Sequence, residues 1–335
     1  VTQSPLICLT PIKNEAWILH RFLKCASLWA DHIIIANQNS TDHSREIALS
    51  YPKVILVDNP SPTFNEPERQ KLLLNAARKI GDRRILIALD ADEILTANFL
   101  RSPEWESILN ALPGTILRFD WVNLHPDMKS CWVSKDPLHF GFVDDGSEHY
   151  GQDIHSPRLP MPSHAPSLLL RDIKVLHYQY TDWERMKSKH RWYQCWERLQ
   201  YPQRSAIEIY RRYHHMDVIN KNTLQPVLDK WLDAYQELGI DMTSVSREGY
   251  FYWDKEVLNM ISKFGAETFK RENIWQVDWV DYANHLNEQQ ITSNRYTDPR
   301  TPLERWLHKW LARTQNNQHT WLIRAFQGLL STIGW

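Results

Sequence analysis

Ile85-Leu86-Ile87-Ala88-Leu89-Asp90-Ala91-Asp92-Glu93 carries five apolar residues straight into three acids. So short and continuous an apolar run reads as a strand buried on both faces, which needs helices above and below it. The preceding residues supply them. Apolar runs at 6–10, 32–36 and 54–57 read as three further strands. Between them, residues 15–28 set Trp17, Ile18, Phe22, Leu23 and Leu28 in a helical stripe, with Asn14 as its expected cap. A second helix opens at Thr41 and turns Ile47 and Ala48 inward, and a third at 68–80 presents Leu72, Leu73, Ala76 and Ile80. Pro52 closes the second helix, three prolines within 59–67 make a loop, and Gly81-Asp82 ends the third helix. Right-handed crossovers then bring the loops after successive parallel strands to one sheet edge, the usual ligand crevice of an open α/β sheet.

Beyond residue 95 the pattern loosens. Residues 103–112 read as a helix, and 115–121, 132–133, 139–143, 168–170 and 174–177 as strands, some antiparallel. Four prolines within 156–166 exclude a regular helix there. From residue 182 onward, 182–199, 206–216, 224–238, 255–264 and 301–312 fit helices. The expected fold is therefore α/β, with a mixed central sheet in a domain spanning 1–180 and a mainly helical C-terminal extension at 181–335.

Composition bounds the function. Thirty-nine Lys and Arg against 40 Asp and Glu leave a net charge of −1, so no specific nucleic-acid partner is expected. Four cysteines with no CxxC pair exclude a disulfide scaffold and favour a reducing compartment. Neither a leader sequence nor an apolar run long enough to span a bilayer is visible, so the expected location is cytoplasmic, or at the cytoplasmic membrane surface. The surface alternative comes from the tail. Arg300, Arg305, Lys309, Arg313 and Arg324 oppose only Glu304, and Trp306, Trp310, Trp321 and Trp335 are interspersed. A basic, aromatic tail of this kind can lie on an acidic membrane as a peripheral contact, or dock onto its own protein.

Asp90 and Asp92, two apart on extended backbone, point the same way and can share a hard divalent cation, Mn²⁺ or Mg²⁺. Acids at a strand-to-helix junction are the plainer reading. The neighbouring motifs are more specific. Thr10-Pro11-Ile12-Lys13-Asn14-Glu15 follows the first strand and Asn37-Gln38-Asn39-Ser40-Thr41-Asp42 the second. Arg69-Gln70-Lys71 and Asn75 ride the helix before the fourth strand, which Leu89-Asp90-Ala91-Asp92 closes. In these stretches residues 6–95 resemble the nucleotide-sugar-binding half of family 2 glycosyltransferases, enzymes with a GT-A fold.

That resemblance implies a GT-A-like layer and metal-dependent, inverting transfer of a sugar from a nucleotide-diphosphate donor to a hydroxyl of a carbohydrate or glycan-bearing acceptor. It implies a cation on Asp92, with Asp90 near the ribose or the metal, Glu15 and Asp42 near the nucleobase, and Pro11 shaping that pocket. Arg69 or Lys71 would approach the diphosphate. A UDP-sugar is the favoured donor, although Asn37 stands where the family carries an acid. In Lys174-Val175-Leu176-His177-Tyr178, His177 resembles a third metal or diphosphate ligand, and Arg158 resembles a residue of the acceptor-side wall. A general base is expected in Asp144-Asp145-Gly146-Ser147-Glu148-His149, as Asp145 first and Glu148 second, a polar hairpin tip being the alternative. Two other functions compete. A sugar-phosphate nucleotidyltransferase would want a glycine-rich loop after the first strand, and residues 10–15 contain no glycine. A non-catalytic carbohydrate- or nucleotide-binding protein would need only the pocket.

Overall fold

The computed structural model describes residues 4–61, 65–152, 156–219, 221–247, 249–287, 294–332 and 334–335. Residues 62–64 of the expected loop at 59–67 lie outside the described residues. The chain divides into two compact units, Val1–Thr181 with Leu224–Ser246, and Asp182–Thr223 with Arg247–Trp335.

The first unit runs β1 (Leu6–Ile12), α1 (Ala16–Ala26), β2 (His32–Asn37), α2 (Ser44–Leu49), β3 (Val54–Asp58), α3 (Glu66–Ala77), β4 (Arg84–Ala88), β5 (Glu93–Leu95), α4 (Pro103–Leu109), β6 (Ile116–Leu124), β7 (Ser130–Val133), β8 (Leu138–Asp144) and β9 (Ser167–His177). Strands β4, β1, β2 and β3 lie side by side and parallel, with Cys8 paired to both Ile33 and Ile87. Their alternation sorts the core onto two faces. Cys8, Ile33, Ile35, Ile85 and Ile87 meet Ile18, Phe22 and Leu23 of α1 on one side. Ile7, Leu9, Ile34, Leu86 and Ala88 meet Leu73, Leu74 and Ala77 of α3 on the other. Burial on both faces is why the central strands β1, β2 and β4 carry unbroken apolar runs, whereas β3, at the sheet edge, leaves Ile55 exposed.

Past β4 the sheet becomes mixed, because β8 pairs antiparallel to β4 and β6 antiparallel to β8. The two short strands expected at 168–170 and 174–177 are one strand, β9, parallel to β6 with a register shift between Phe119 and Asp120. The expected helix at 224–238 does not form as such. It is replaced by β10 (Gln225–Pro226), which pairs with β7, and the short α7 (Asp233–Glu237). Pairing of Gln225 and Pro226 with Cys131 and Ser130 holds the start of the segment extended. Trp231, Leu232 and Tyr235 pack into the first core, so this segment of the expected C-terminal extension belongs to the first unit.

The second unit is helical, with α5 (Trp183–Gln200), α6 (Ala206–Tyr213), α8 (Tyr252–Phe264), α9 (Trp279–Asn287), α10 (Pro302–Thr314) and α11 (Trp321–Thr332). Three of its acids have no exposed side chain, and each meets arginine: Asp254 with Arg191 at 2.7 Å, Glu272 with Arg198, and Glu197 with Arg204 and Arg212. Burial lifts Glu272 to a pKa of about 7 against the pull of Arg198. No helix among the described residues is long and apolar enough to cross a membrane.

Phe22 is fully buried between α1 and the sheet, whereas Leu49 is exposed. Urea denaturation of Phe22→Ala is expected to show a loss of about 3–5 kcal/mol, and Leu49→Ala a change within about 0.5 kcal/mol.

Candidate active site

Strand β4 ends at Ala88, and the chain then reverses: the Glu93 N–H donates to the Asp90 carbonyl at 2.9 Å. Asp90-Ala91-Asp92-Glu93 is therefore a tight turn and not a continuing strand, which corrects the expectation that strand alternation aims both aspartates one way. The turn feeds β5 back antiparallel to the end of β9, setting Glu93 opposite His177. Asp90 and Asp92 consequently face different partners.

Asp90 faces Arg158. Its carboxylate, 39% exposed, accepts from the Arg158 guanidinium at 2.8 Å. The same guanidinium donates to both oxygens of Glu93, whose side chain is wholly buried, and at 3.3 Å to the Ala88 carbonyl. Glu93 also accepts the Asp90 N–H at 2.8 Å. Burial pushes the Glu93 carboxyl up and Arg158 opposes it. Burial works against the charge of Arg158 in turn, but Asp90 and Glu93 outweigh it and raise its pKa. This buried, multiply bonded pair holds the turn.

Residues 144–152 and 156–158, on either side of residues outside the described set, meet α3 at its last turn, its middle and its first turn, and Arg158 follows the last of these contacts. Arg78, beyond the helix end, holds Asp144 at 2.8 Å and the Ser147 carbonyl at 2.6 Å. Midway, Gln70 Oε1 meets His149 Nε2 at 2.7 Å and accepts the Ser156 hydroxyl at 3.0 Å. At the first turn, Glu66 accepts the Ser156 N–H at 2.7 Å, its own carboxyl pushed up by burial against the pull of Arg69. Gly151 lets the segment lie close, since a Cβ there would stand 2.6 Å from Ser156 Oγ and 3.0 Å from Pro67.

Asp92 faces His177, with Oδ2 and Nε2 3.8 Å apart and both side chains nearly buried. The His177 Nδ1 lies 2.8 Å from Asn123 Oδ1, and Trp121 stacks on the imidazole at 4.4 Å between centroids. Because an amide oxygen only accepts, Nδ1 donates to Asn123, and the ring turns Nε2 toward Asp92. Among the described residues, no group of three or more His, Cys, Asp and Glu is arranged to hold a metal ion. The expected trio of Asp90, Asp92 and His177 is thus not assembled, because Arg158 takes Asp90. What remains is a two-donor edge, one carboxylate and one imidazole, whose chemistry fits part of a Mn²⁺ or Mg²⁺ shell.

The loops after β1 and β2 are stitched to one another. Asn14 takes a left-handed backbone at φ 57° and accepts the Thr41 N–H at 2.7 Å, so it joins the two loops instead of capping α1. Asp42 accepts the Ala16 N–H at 3.0 Å and the Ser44 N–H at 2.9 Å, serving the first turns of both α1 and α2. Glu15 accepts the Trp17 indole N–H at 2.7 Å. Pro11 pairs with Ala36 beyond the point where β1 leaves β4. On α3, Arg69 is half-buried and Lys71 exposed.

Asp145 and Glu148 fall elsewhere. Asp144 pairs with Arg84, the first residue of β4, so Asp145 lies at the opposite sheet edge, about 20 Å from Asp90 at strand rise. Although burial opposes it, hydrogen bonding by Ser147 lowers the Asp145 pKa, which makes it a weaker base. Glu148 is exposed and accepts the Tyr150 hydroxyl at 3.0 Å. Neither is brought to the acidic turn. The sequence reading missed Glu93 and Asn123 as site residues. Glu93 carried a signal, an acid directly following two others on an apolar strand, whereas Asn123 carried none.

No protein-family model and no curated protein matches this chain. Solved structures do. Glucosyl-3-phosphoglycerate synthase from Mycobacterium tuberculosis, in complex with phosphoglyceric acid, is 16% identical over 36% of this chain and 44% of its own, with a TM-score of 0.27. 4-Diphosphocytidyl-2C-methyl-D-erythritol synthase is 12% identical over 43% of this chain and 77% of its own, with a TM-score of 0.31. The inositol-1-phosphate CTP transferase from T. maritima is 8% identical over 52% and 90%, with a TM-score of 0.30. The chain covers 42% and 44% of the first two solved chains it matches, under half of their length.

Replacing Arg158 with Met strands the buried Glu93 charge and is expected to cost about 3–5 kcal/mol near neutral pH. Without the guanidinium, Glu93 holds a proton in the folded state above its unfolded pKa of 4.5. Stability is then greatest below that pKa and falls as pH rises through the raised folded value. Urea titrations should therefore show a larger deficit at alkaline than at acid pH, and Glu93→Gln in the same chain should flatten the difference.

Proposed function

We propose that the first unit is a GT-A-type glycosyltransferase domain that binds a nucleotide-diphosphate sugar at the C-terminal edge of β1, β2 and β4. It transfers the sugar, with inversion, to a hydroxyl of a carbohydrate or glycan-bearing acceptor. The observation that carries this reading is the acidic turn at the end of a buried parallel strand, with Asp92 beside a His177 oriented by Asn123. A nucleotide diphosphate is a poor guest for two carboxylates unless positive charge accompanies it. Asp92 and His177 would hold that charge as Mn²⁺ or Mg²⁺, which supplies neutralisation of the departing diphosphate.

The remaining roles belong to side chains. Arg158 neutralises Asp90 and Glu93, so the turn does not repel an anionic donor, and it fixes the carboxylate of Asp90 toward the ribose. Pro11, Glu15 and Asp42 border the nucleobase end, and a UDP-sugar is the donor this reading favours. Arg69 and Lys71 approach the phosphates from α3, where guanidinium and ammonium suit anionic oxygens. In the transfer, the acceptor oxygen bonds to the anomeric carbon as the bond from that carbon to the diphosphate breaks, and the hydroxyl proton passes to a base. That base is not assigned to Asp145 or Glu148.

Calorimetric titration with UDP-, GDP- and dTDP-sugars, in Mn²⁺ and in EDTA, tests the reading. Metal-dependent binding that Asp92→Ala abolishes is expected, and equal binding with and without metal would overturn it. Asn123→Ala, which leaves both ligands in place but releases the imidazole, is expected to weaken the metal-dependent binding about 10–100-fold.

A further inference from the structure

Helix α11 is apolar on two sides. Inward, Phe326 meets Trp310 of α10 with ring centroids 4.8 Å apart, and Leu330 is buried with Ala206, Ile207, Tyr210, Leu307 and Leu311. Outward, Trp321 is 76% exposed and Leu322 and Leu329 are each 62% exposed. At 3.6 residues per turn, Trp321, Leu322, Ala325 and Leu329 fall within an arc of about 100°, a continuous apolar stripe facing solvent. Scattered exposed leucines are ordinary, but a tryptophan and two leucines aligned on one helix are a surface built to be covered.

The chemistry around the stripe indicates what covers it. Residues 305–335 hold Arg305, Lys309, Arg313 and Arg324 and no acid. On α10, Trp306 is half exposed and shares a face with Lys309 and Arg313, at spacings of three and seven. Nearby acids are committed. Glu304 closes the capping box with Thr301 and lies 3.9 Å from Lys270, which also pairs with Glu267, while Asp298 holds Arg300 and reaches Arg305 at 3.4 Å. Lys309, Arg313 and Arg324 have no ion pair among the described residues. Exposed tryptophan and leucine on a pair of helices that also carries uncompensated lysine and arginine match an interfacial surface on an anionic bilayer, with apolar chains entering the acyl boundary and cations meeting phosphates. A second copy of the same surface would oppose like charge with like charge.

We propose that the apolar stripe of α11, together with the unpaired cations of α10 and α11, is a peripheral docking surface for an anionic lipid bilayer. Such docking does not depend on the nucleotide-sugar reading. Flotation of the full chain with phosphatidylcholine vesicles, and with vesicles also containing phosphatidylglycerol, tests it. Binding to the anionic vesicles that weakens with added salt is expected. Trp321→Ser with Leu329→Ser should reduce it at least tenfold, as should Lys309→Glu with Arg313→Glu. Both pairs are exposed, so circular dichroism and the urea midpoint should stay at the wild-type values. Absence of wild-type flotation, or unchanged flotation of the Ser variant, overturns the proposal. A wild-type dimer that the Ser variant dissociates, with no vesicle binding by either, overturns it in favour of a second copy as the occupant.

Discussion

A carboxylate taken wholly out of water has to find a cation or a proton, and Glu93 finds the guanidinium of Arg158. Much of the first unit's edge follows from that meeting. The arginine reaches three groups of one tight turn, the Ala88 carbonyl and the carboxylates of Asp90 and Glu93, and so sets where β4 stops and β5 begins. Before it in the chain, Ser147, His149 and Ser156 contact Arg78, Gln70 and Glu66 at the end, middle and start of α3. Removing one of two buried charges costs far more than the pair contributes when intact, so the contact enforces geometry more than it adds stability.

The turn divides its two aspartates between unlike surroundings. Asp90 stays partly wet and is satisfied by a permanent cation, whereas Asp92 is nearly buried beside an imidazole. Identical side chains two residues apart thereby sit in different surroundings, one paired with a guanidinium and the other beside an imidazole. The second unit follows the same rule: Glu197, Asp254 and Glu272 are each buried against arginine.

The parallel half of the sheet was legible because its strands are covered on both sides, which leaves unbroken apolar runs such as 32–36 and 85–89 in the chain. Element positions from β1 to β4 came through with small shifts at their ends. The rest depended on contacts distant in sequence. Glu93 drew no role in the sequence, because only the reversal at Asp90 pairs it with His177, 84 residues later. Residues 224–238 carried a helical apolar pattern, and pairing with β7 together with packing into the first core overrode it. Asp145 looked like a candidate base because it follows an apolar strand as Asp90 does, yet β8 runs antiparallel to β4, and that sense of direction sends it to the far edge.

The crossed stitches between the loops after β1 and β2 have a thermodynamic consequence. Asn14 and Asp42 immobilise the backbone of both loops during folding. Under the proposed function, a guest at that end would find both loops already ordered, and its association would carry little loop-ordering entropy.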